Sequence, residues 1–334
     1  MGRIVVITGS SAGVGRATAL EFARHGDDVA LLARNEDRLK DLAAKLRTMG
    51  VRALAIPTDV ADDAAVERAA AEVEEKIGPI DIWVNVAMAT IFGPVGSISP
   101  AEFRRATEVT YLGQVHGTIA ALKHMKARDT GTIVNIGSAL AYRSVPLQSA
   151  YCGAKFAVRG FTDALRSELI HDRSNIHLTM VHLPAVNTPQ FDWAMNKTGH
   201  KAQPVPPIFQ PEVAARAIVF AANNRRREVW VGFSSVKAII ANMLVPGLLD
   251  HYLAKTGYSA QLAKETLPAD QPDNLFETVP GHDTAHGRFD AQARRFSWEM
   301  ATSRHRDAIA AGLLGLGALA LLRFARACRP SPEA

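Results

Sequence analysis

Cysteine is nearly absent: Cys152 and Cys328 are the only two in 334 residues. Two thiols so far apart make neither a disulfide framework nor a metal-ligand set, and they point to a reducing compartment, the cytoplasm. Clustered charge is scarce too. The net charge is +5, the arginines are dispersed, and Arg225-Arg226-Arg227 is the one tight basic run, which reads as a solvated helix end before a strand. No nucleic-acid partner is expected from such a balance. No solenoid-type repeat appears, and no charged and then apolar leader precedes Arg3, so no signal peptide is expected. His282 and His286 stand at i, i+4 between Gly281 and Gly287 with no third ligand in view. Glycines at both ends indicate a loop, and no metal is expected.

A long hydrophobic span is also missing. Ala308 to Leu322 is free of charge for 15 residues, about 22 Å as a helix against about 30 Å of hydrocarbon. Arg304 and Arg306 precede it and Arg323, Arg326 and Arg329 follow, so snorkelling side chains could extend it, and Ala311 and Gly315 form a small-xxx-small face. Two readings stay open: membrane contact through the C-terminus, or a helix docked on the protein or on a second copy.

What is present is alternation. Short β-branched or apolar runs at Arg3–Ile7, Val29–Ala33, Arg52–Ile56, Ile80–Asn85, Thr132–Ile136, Ile176–Leu183 and Glu228–Val231 read as strands. Helical spacing fills the intervals: Arg16–His25, Asn35–Met49, Ala61–Ile77, Pro100–Lys126, Tyr151–His171 and Pro211–Ala222. The pattern predicts an α/β fold, a Rossmann-type doubly wound parallel sheet with ligands outside the carboxyl ends of the strands. Val236–Leu253 reads as one or two helices broken at Pro246-Gly247, and Leu267–Asp290 as an extended, flexible linker. The expected organisation is a catalytic domain at 1–235, a helical and irregular extension at 236–303, and an apolar tail helix at 304–326.

Three features carry chemistry. The run Thr8-Gly9-Ser10-Ser11-Ala12-Gly13-Val14-Gly15 joins the first strand to the first helix, so its backbone can approach a pyrophosphate that faces the helix N-terminus. Tyr151 and Lys155 are one helical turn apart with Ser138 upstream. An ammonium beside a phenol favours the phenolate and so lowers the phenol pKa, and Ser138 could bond the same substrate oxygen. Leu32-Ala33-Arg34-Asn35 offers no carboxylate after the second strand, while Arg34 can pair with a 2′-phosphate, which favours NADP over NAD. Cys152 points about 100 degrees from Tyr151 on a helix and reads as a packing residue.

Together these residues resemble the short-chain dehydrogenase/reductase family over roughly 3–235: Thr-Gly-x-x-x-Gly-x-Gly, then Tyr-x-x-x-Lys with an upstream Ser. The resemblance implies an oxidoreductase acting on an alcohol or carbonyl carbon of a small molecule, usually as a homo-oligomer. It makes Tyr151 the general acid/base, Lys155 the residue that lowers its pKa and contacts the nicotinamide ribose, and Ser138 the group that orients the substrate. It assigns cofactor contacts to Thr8, Gly9, Ser11, Gly13, Val14, Gly15, Arg34, Asp59, Val60, Asn85, Pro184 and Thr188. The chain departs from the family at Thr110, where an Asn of the proton relay is usual, at Met88 in Asn85-Val86-Ala87-Met88, where a glycine is usual, and at Ala185 after Pro184. A non-catalytic sensor or scaffold that retains the fold is the rival reading. Phe191, Trp193, Met195 and Phe209 form an apolar lid over the substrate, or simply pack on the core; Asp59 meets the adenine, or caps a helix.

Overall fold

A computed structural model describes residues 2–304 apart from 282 and 283. Strands β1 (Ile4–Thr8), β2 (Asp28–Ala33), β3 (Ala53–Pro57) and β4 (Ile82–Asn85) alternate with helices α1 (Gly13–Arg24), α2 (Glu36–Thr48) and α3 (Asp63–Lys76). Every residue of β1, β2 and β4 is buried, as continuous apolar strands covered on both faces must be. Asn35 caps α2 by accepting from the Arg38 amide, and Asp62 caps α3 by accepting from Ala65.

The long helix expected over 100–126 is divided. After the short strand β5 (Ile91–Phe92), α4 (Pro100–Thr107) runs into a wide π-type turn at Glu108–Leu112 and resumes as α5 (Gly113–Lys126). Ser99 and Glu102 form a capping box at the start of α4. Then come β6 (Thr132–Ser138), α6 (Ser149–His171), β7 (His177–Leu183), a single turn α7 (Gln190–Trp193), and short strands β8 (Met195–Asn196) and β9 (His200–Ala202). Helix α8 (Pro211–Asn223) leads to β10 (Glu228–Trp230).

Seven strands pair in the order β10-β7-β6-β4-β1-β2-β3, every pair parallel. The order reverses between β1 and β4, so the crevice outside their carboxyl ends is the natural ligand site. One apolar cluster, with Phe22, Leu39 and Ile218, fills one face of the sheet, and another, with Trp83, Val66 and Leu165, fills the other.

Beyond the sheet, α9 (Phe233–Leu244) and α10 (Pro246–Gln261) divide at the Pro246 that the sequence marked. Strand β11 (Leu262–Thr266) pairs antiparallel with β9, and α11 (Trp298–Arg304) closes the described chain. Leu267–Asp290 does not behave as the expected free linker. Leu275 is fully buried in the cluster around Trp83, Val279 and Phe289 are buried, and Arg34, Arg38 and Arg105 all bond to carbonyls of 274–281. Three buried apolar side chains in an otherwise Pro-, Gly- and Asp-rich stretch give no periodicity to read, yet they anchor it. The apolar run 308–322 and Cys328 lie outside the described residues.

At the junction of α11 and the sheet edge, Glu299 accepts from the Gly232 amide at 2.7 Å. Burial pushes its carboxyl up from 4.5 to about 7, against the pull of that amide and of Ser297. A carboxyl whose folded pKa is raised keeps its protons in the folded state while the unfolded chain loses them, so stability falls as pH rises between 4.5 and about 7. Glu299→Gln, which keeps an acceptor for Gly232, is therefore expected to raise the melting temperature above pH 7 and to leave it unchanged near pH 4. Thermal melts across pH 4–9 check this; a difference that does not depend on pH would refute it.

Candidate active site

The crevice is one continuous cavity of about 550 Å³ that runs from Arg34 and Asp59, past the glycine loop, to Ser138, Tyr151 and Lys155 and on beneath α10. The glycine loop shapes its middle. Gly9 has φ +67, and a Cβ there would stand 2.7 Å from Ala87 Cα; one on Gly15 would run into the Gly9 carbonyl. Only glycine lets the loop lie so close to the β4 exit while it opens α1 toward the cavity. Thr8 serves from behind: its hydroxyl accepts from the Val86 and Ala87 amides at 3.0 and 3.2 Å. Gly9, Ser11, Gly13, Val14 and Gly15 line the cavity, whereas Thr8 does not.

At the reacting end, α6 presents Tyr151 and Lys155 from one face, with the Lys155 Nζ 5.6 Å from the centre of the phenol ring. Ser138 ends β6 and accepts from the Leu140 amide at 3.1 Å, which turns the chain out of the sheet and leaves the hydroxyl beside Tyr151. Lys155 is 1% exposed and donates to the Ile136 carbonyl at 2.7 Å. Burial pushes the phenol up to about 12, with Ser138 pulling the other way, and pushes the ammonium down to about 7. The direction at Tyr151 is opposite to the sequence expectation, because desolvation of the phenolate outweighs the hydrogen bond to Ser138.

Like Thr8, two more of the expected site residues do not line the cavity. Asn85 is fully buried and spends its side chain on Trp83, Thr118, Asn135 and the Gln114 carbonyl, a polar knot that ties β4 to α5 and β6 beneath the cavity. Thr110, also fully buried, donates to the Ala89 carbonyl at 2.8 Å and accepts from the Ala89 amide at 2.9 Å. Its hydroxyl clamps the loop after β4 to the π-type turn and makes no bond to Lys155. Met88 lines the cavity without adopting a left-handed backbone.

Gln114, one turn beyond Thr110, comes nearer to the lysine. Its Nε2 donates to the same Ile136 carbonyl at 3.1 Å that Lys155 uses, and its Oε1 is buried without a partner among the described residues. Nothing in the sequence around Gln114 singles it out; it lies in the first turn of α5, just after the π-type turn.

A nicotinamide dinucleotide fits this set: the glycine-lined loop opens toward the cavity, Val60, Pro184 and Thr188 line its walls, and arginines stand at one end with the Tyr151–Lys155 pair near the other. A short chain dehydrogenase model matches residues 3–198. The chain belongs to the short-chain dehydrogenase/reductase family. It is 31% identical over 326 residues to the Bacillus subtilis oxidoreductase YxnA, covering 95% of this chain and 90% of that one. Against a 3-dehydrosphinganine reductase of Danio rerio it is 32% identical over 231 residues, 65% of this chain and 68% of the other. A solved alcohol dehydrogenase from Thermococcus sibiricus, complexed with 5-hydroxy-NADP, superposes with TM-score 0.60 at 27% identity, over 69% of this chain and 96% of that one.

In this short-chain dehydrogenase/reductase, the end of the cavity beside β2 and β3 is walled by charge. Asp59 accepts from the Ala61 amide and from Arg105; although burial opposes them, these bonds hold its carboxyl below the usual range. Asp62 rather than Asp59 is the helix cap. Arg38 lines the same end, one helical turn beyond Arg34. Of the lid candidates, Phe191 and Trp193 line the cavity, whereas Phe209 and Met195 pack on the core clusters. Cys152 is 2% exposed and a packing residue. His286 pairs with Glu212 and Asp290.

Proposed function

We propose that the protein is an NADP-dependent oxidoreductase that moves a hydride between nicotinamide and the alcohol or ketone carbon of an apolar small molecule. The single observation that carries this is the composition of the cavity along its length. Arg34 and Arg38 stand at one end, Ser138, Tyr151 and Lys155 near the other, and beyond them Phe92, Val145, Phe191 and Leu253 surround the space left for a substrate. The name of the Danio rerio reductase and the NADP derivative held by the Thermococcus sibiricus enzyme support the same chemistry.

The bound cofactor supplies the hydride. The chain's own residues handle the proton and the geometry. Ser138 donates to the substrate oxygen and holds it beside Tyr151, whose protonated phenol passes its proton to that oxygen as the carbon is reduced. In the reverse direction the phenolate accepts it. Lys155, buried and close to the phenol, favours that phenolate whenever it carries its proton.

Turnover of NADPH and of NADH with a panel of apolar ketones and aldehydes tests the reading. Faster consumption of NADPH with apolar carbonyl compounds is expected; consumption of NADH alone, or of neither, would overturn it.

We also propose that the C-terminus meets a membrane on the cytoplasmic side. No helix among the described residues is long and apolar enough to cross a membrane. Support comes from the uncharged run 308–322 and from Phe233, Met243, Leu244 and Leu248, exposed on α9 and α10. The full chain is expected to sediment with lipid vesicles, and a chain ending at Ser303 to lose this while keeping turnover; a full chain that stays free of vesicles would refute it.

A further inference from the structure

Residues 274–281 form one wall of the cavity, and the wall holds arginines. Arg34 donates through Nη1 to the Phe276 carbonyl at 2.7 Å and the Leu275 carbonyl at 3.4 Å, and through Nη2 to the Asn274 carbonyl. Arg38 donates through Nη2 to the carbonyls of Val279 and Gly281, and Arg105 through Nε to that of Leu275 at 3.1 Å. Asn274, Thr278 and Val279 face the same space as Arg34, Asn35, Arg38 and Asp59. Leu275, 0% exposed, and Val279, 7% exposed, pin the segment to the sheet domain. The family model ends at residue 198, so nothing in the matched region supplies this wall.

Arginine side chains are long and lose much rotamer freedom when they bind an anion. Carbonyl oxygens that already hold terminal nitrogens of two guanidinium groups remove that freedom before any ligand arrives, and they carry no formal negative charge. Asn35 caps the first turn of α2, which directs helix amides and the positive end of the helix dipole to the same corner. A dianionic phosphate suits such a corner better than a neutral hydroxyl.

We propose that residues 274–281 are a cofactor-binding element that fixes Arg34 and Arg38 for the 2′-phosphate of NADP(H), with Arg38 as a second phosphate ligand. The proposal rests on the NADP reading of the preceding subsection. It differs from that reading in predicting that discrimination between cofactors depends on a segment far along the chain whose contacts are main-chain carbonyls.

Calorimetric titration of the full chain with NADPH and NADH tests both. Wild type is expected to bind NADPH more tightly, and Leu275→Asp, which drives the segment from its apolar seat, to weaken NADPH about 10-fold and NADH about 3-fold or less, since only NADPH uses the fixed arginines. Val279→Asp is expected to do the same, and circular dichroism of both variants confirms that the sheet domain is intact. Hydrogen exchange on wild type needs no variant: amides of 274–281 are expected to gain more protection from NADPH than from NADH. Equal weakening of both cofactors, tighter NADPH binding in the variants, or no NADPH-specific protection overturns the inference while the NADP reading stands. Wild type that binds both cofactors equally overturns the NADP reading itself.

Discussion

Tyr151→Phe is expected to lower kcat by about 10²–10⁴-fold while the affinity for cofactor changes by less than about twofold. The phenol oxygen is the atom that exchanges the proton. Burial holds its pKa at about 12, so at neutral pH the group is a protonated donor placed beside Ser138. Phe keeps the ring and its packing and removes only that oxygen. Steady-state kinetics with a substrate found in the carbonyl panel, alongside direct titration of cofactor, separate the two effects. Turnover close to wild type in the Phe variant would remove Tyr151 from the reaction.

The second large effect has opposite signs in activity and in stability. Lys155→Met is expected to cost at least about 10²-fold in turnover and yet to raise the melting temperature at pH 7 by about 2–4 °C for each kcal/mol of desolvation relieved. Lys155 is buried without a carboxylate, and desolvation lowers its pKa from 10.5 to about 7. An amine whose folded pKa is depressed releases its proton on folding, so the unfolded chain binds more protons between about 7 and 10.5, and wild-type stability should rise with pH across that window. The Met variant, close in volume and uncharged, should lack this rise, and Gln114 still donates to the Ile136 carbonyl that Lys155 leaves. Melts at pH 7 and pH 10 decide it: an equal pH slope in both proteins would show that the lysine is not desolvated. A stabilised, inactive enzyme is the pattern of a group kept for function against the stability of the fold.

The legible and illegible parts of the site differ in how they are encoded. The glycine loop, Ser138, Tyr151 and Lys155 were readable because each acts through local spacing: a turn between strand and helix, a strand end, one helical turn. Asn85 and Thr110 were assigned to the site by position along the chain, and the fold turns both side chains into structural knots beneath it. Gln114 and Arg38 are held by the carbonyls that lie across from them, which no local pattern announces.

The sequence by itself determined the sheet. Alternating apolar runs and helical periods leave few ways to bury both faces, so a doubly wound parallel sheet with a crevice outside the carboxyl ends of its strands follows from patterning and chain connectivity. Where the ionisation equilibria of the site lie was settled only by tertiary structure, because burial, which the four-residue spacing of Tyr151 and Lys155 does not announce, is the largest cause of the shift at each. The fate of 267–290 was likewise decided in three dimensions. A segment without periodicity gives no signal of its own, and it is ordered here by three buried side chains and by arginines more than two hundred residues distant, contacts that no local pattern can announce.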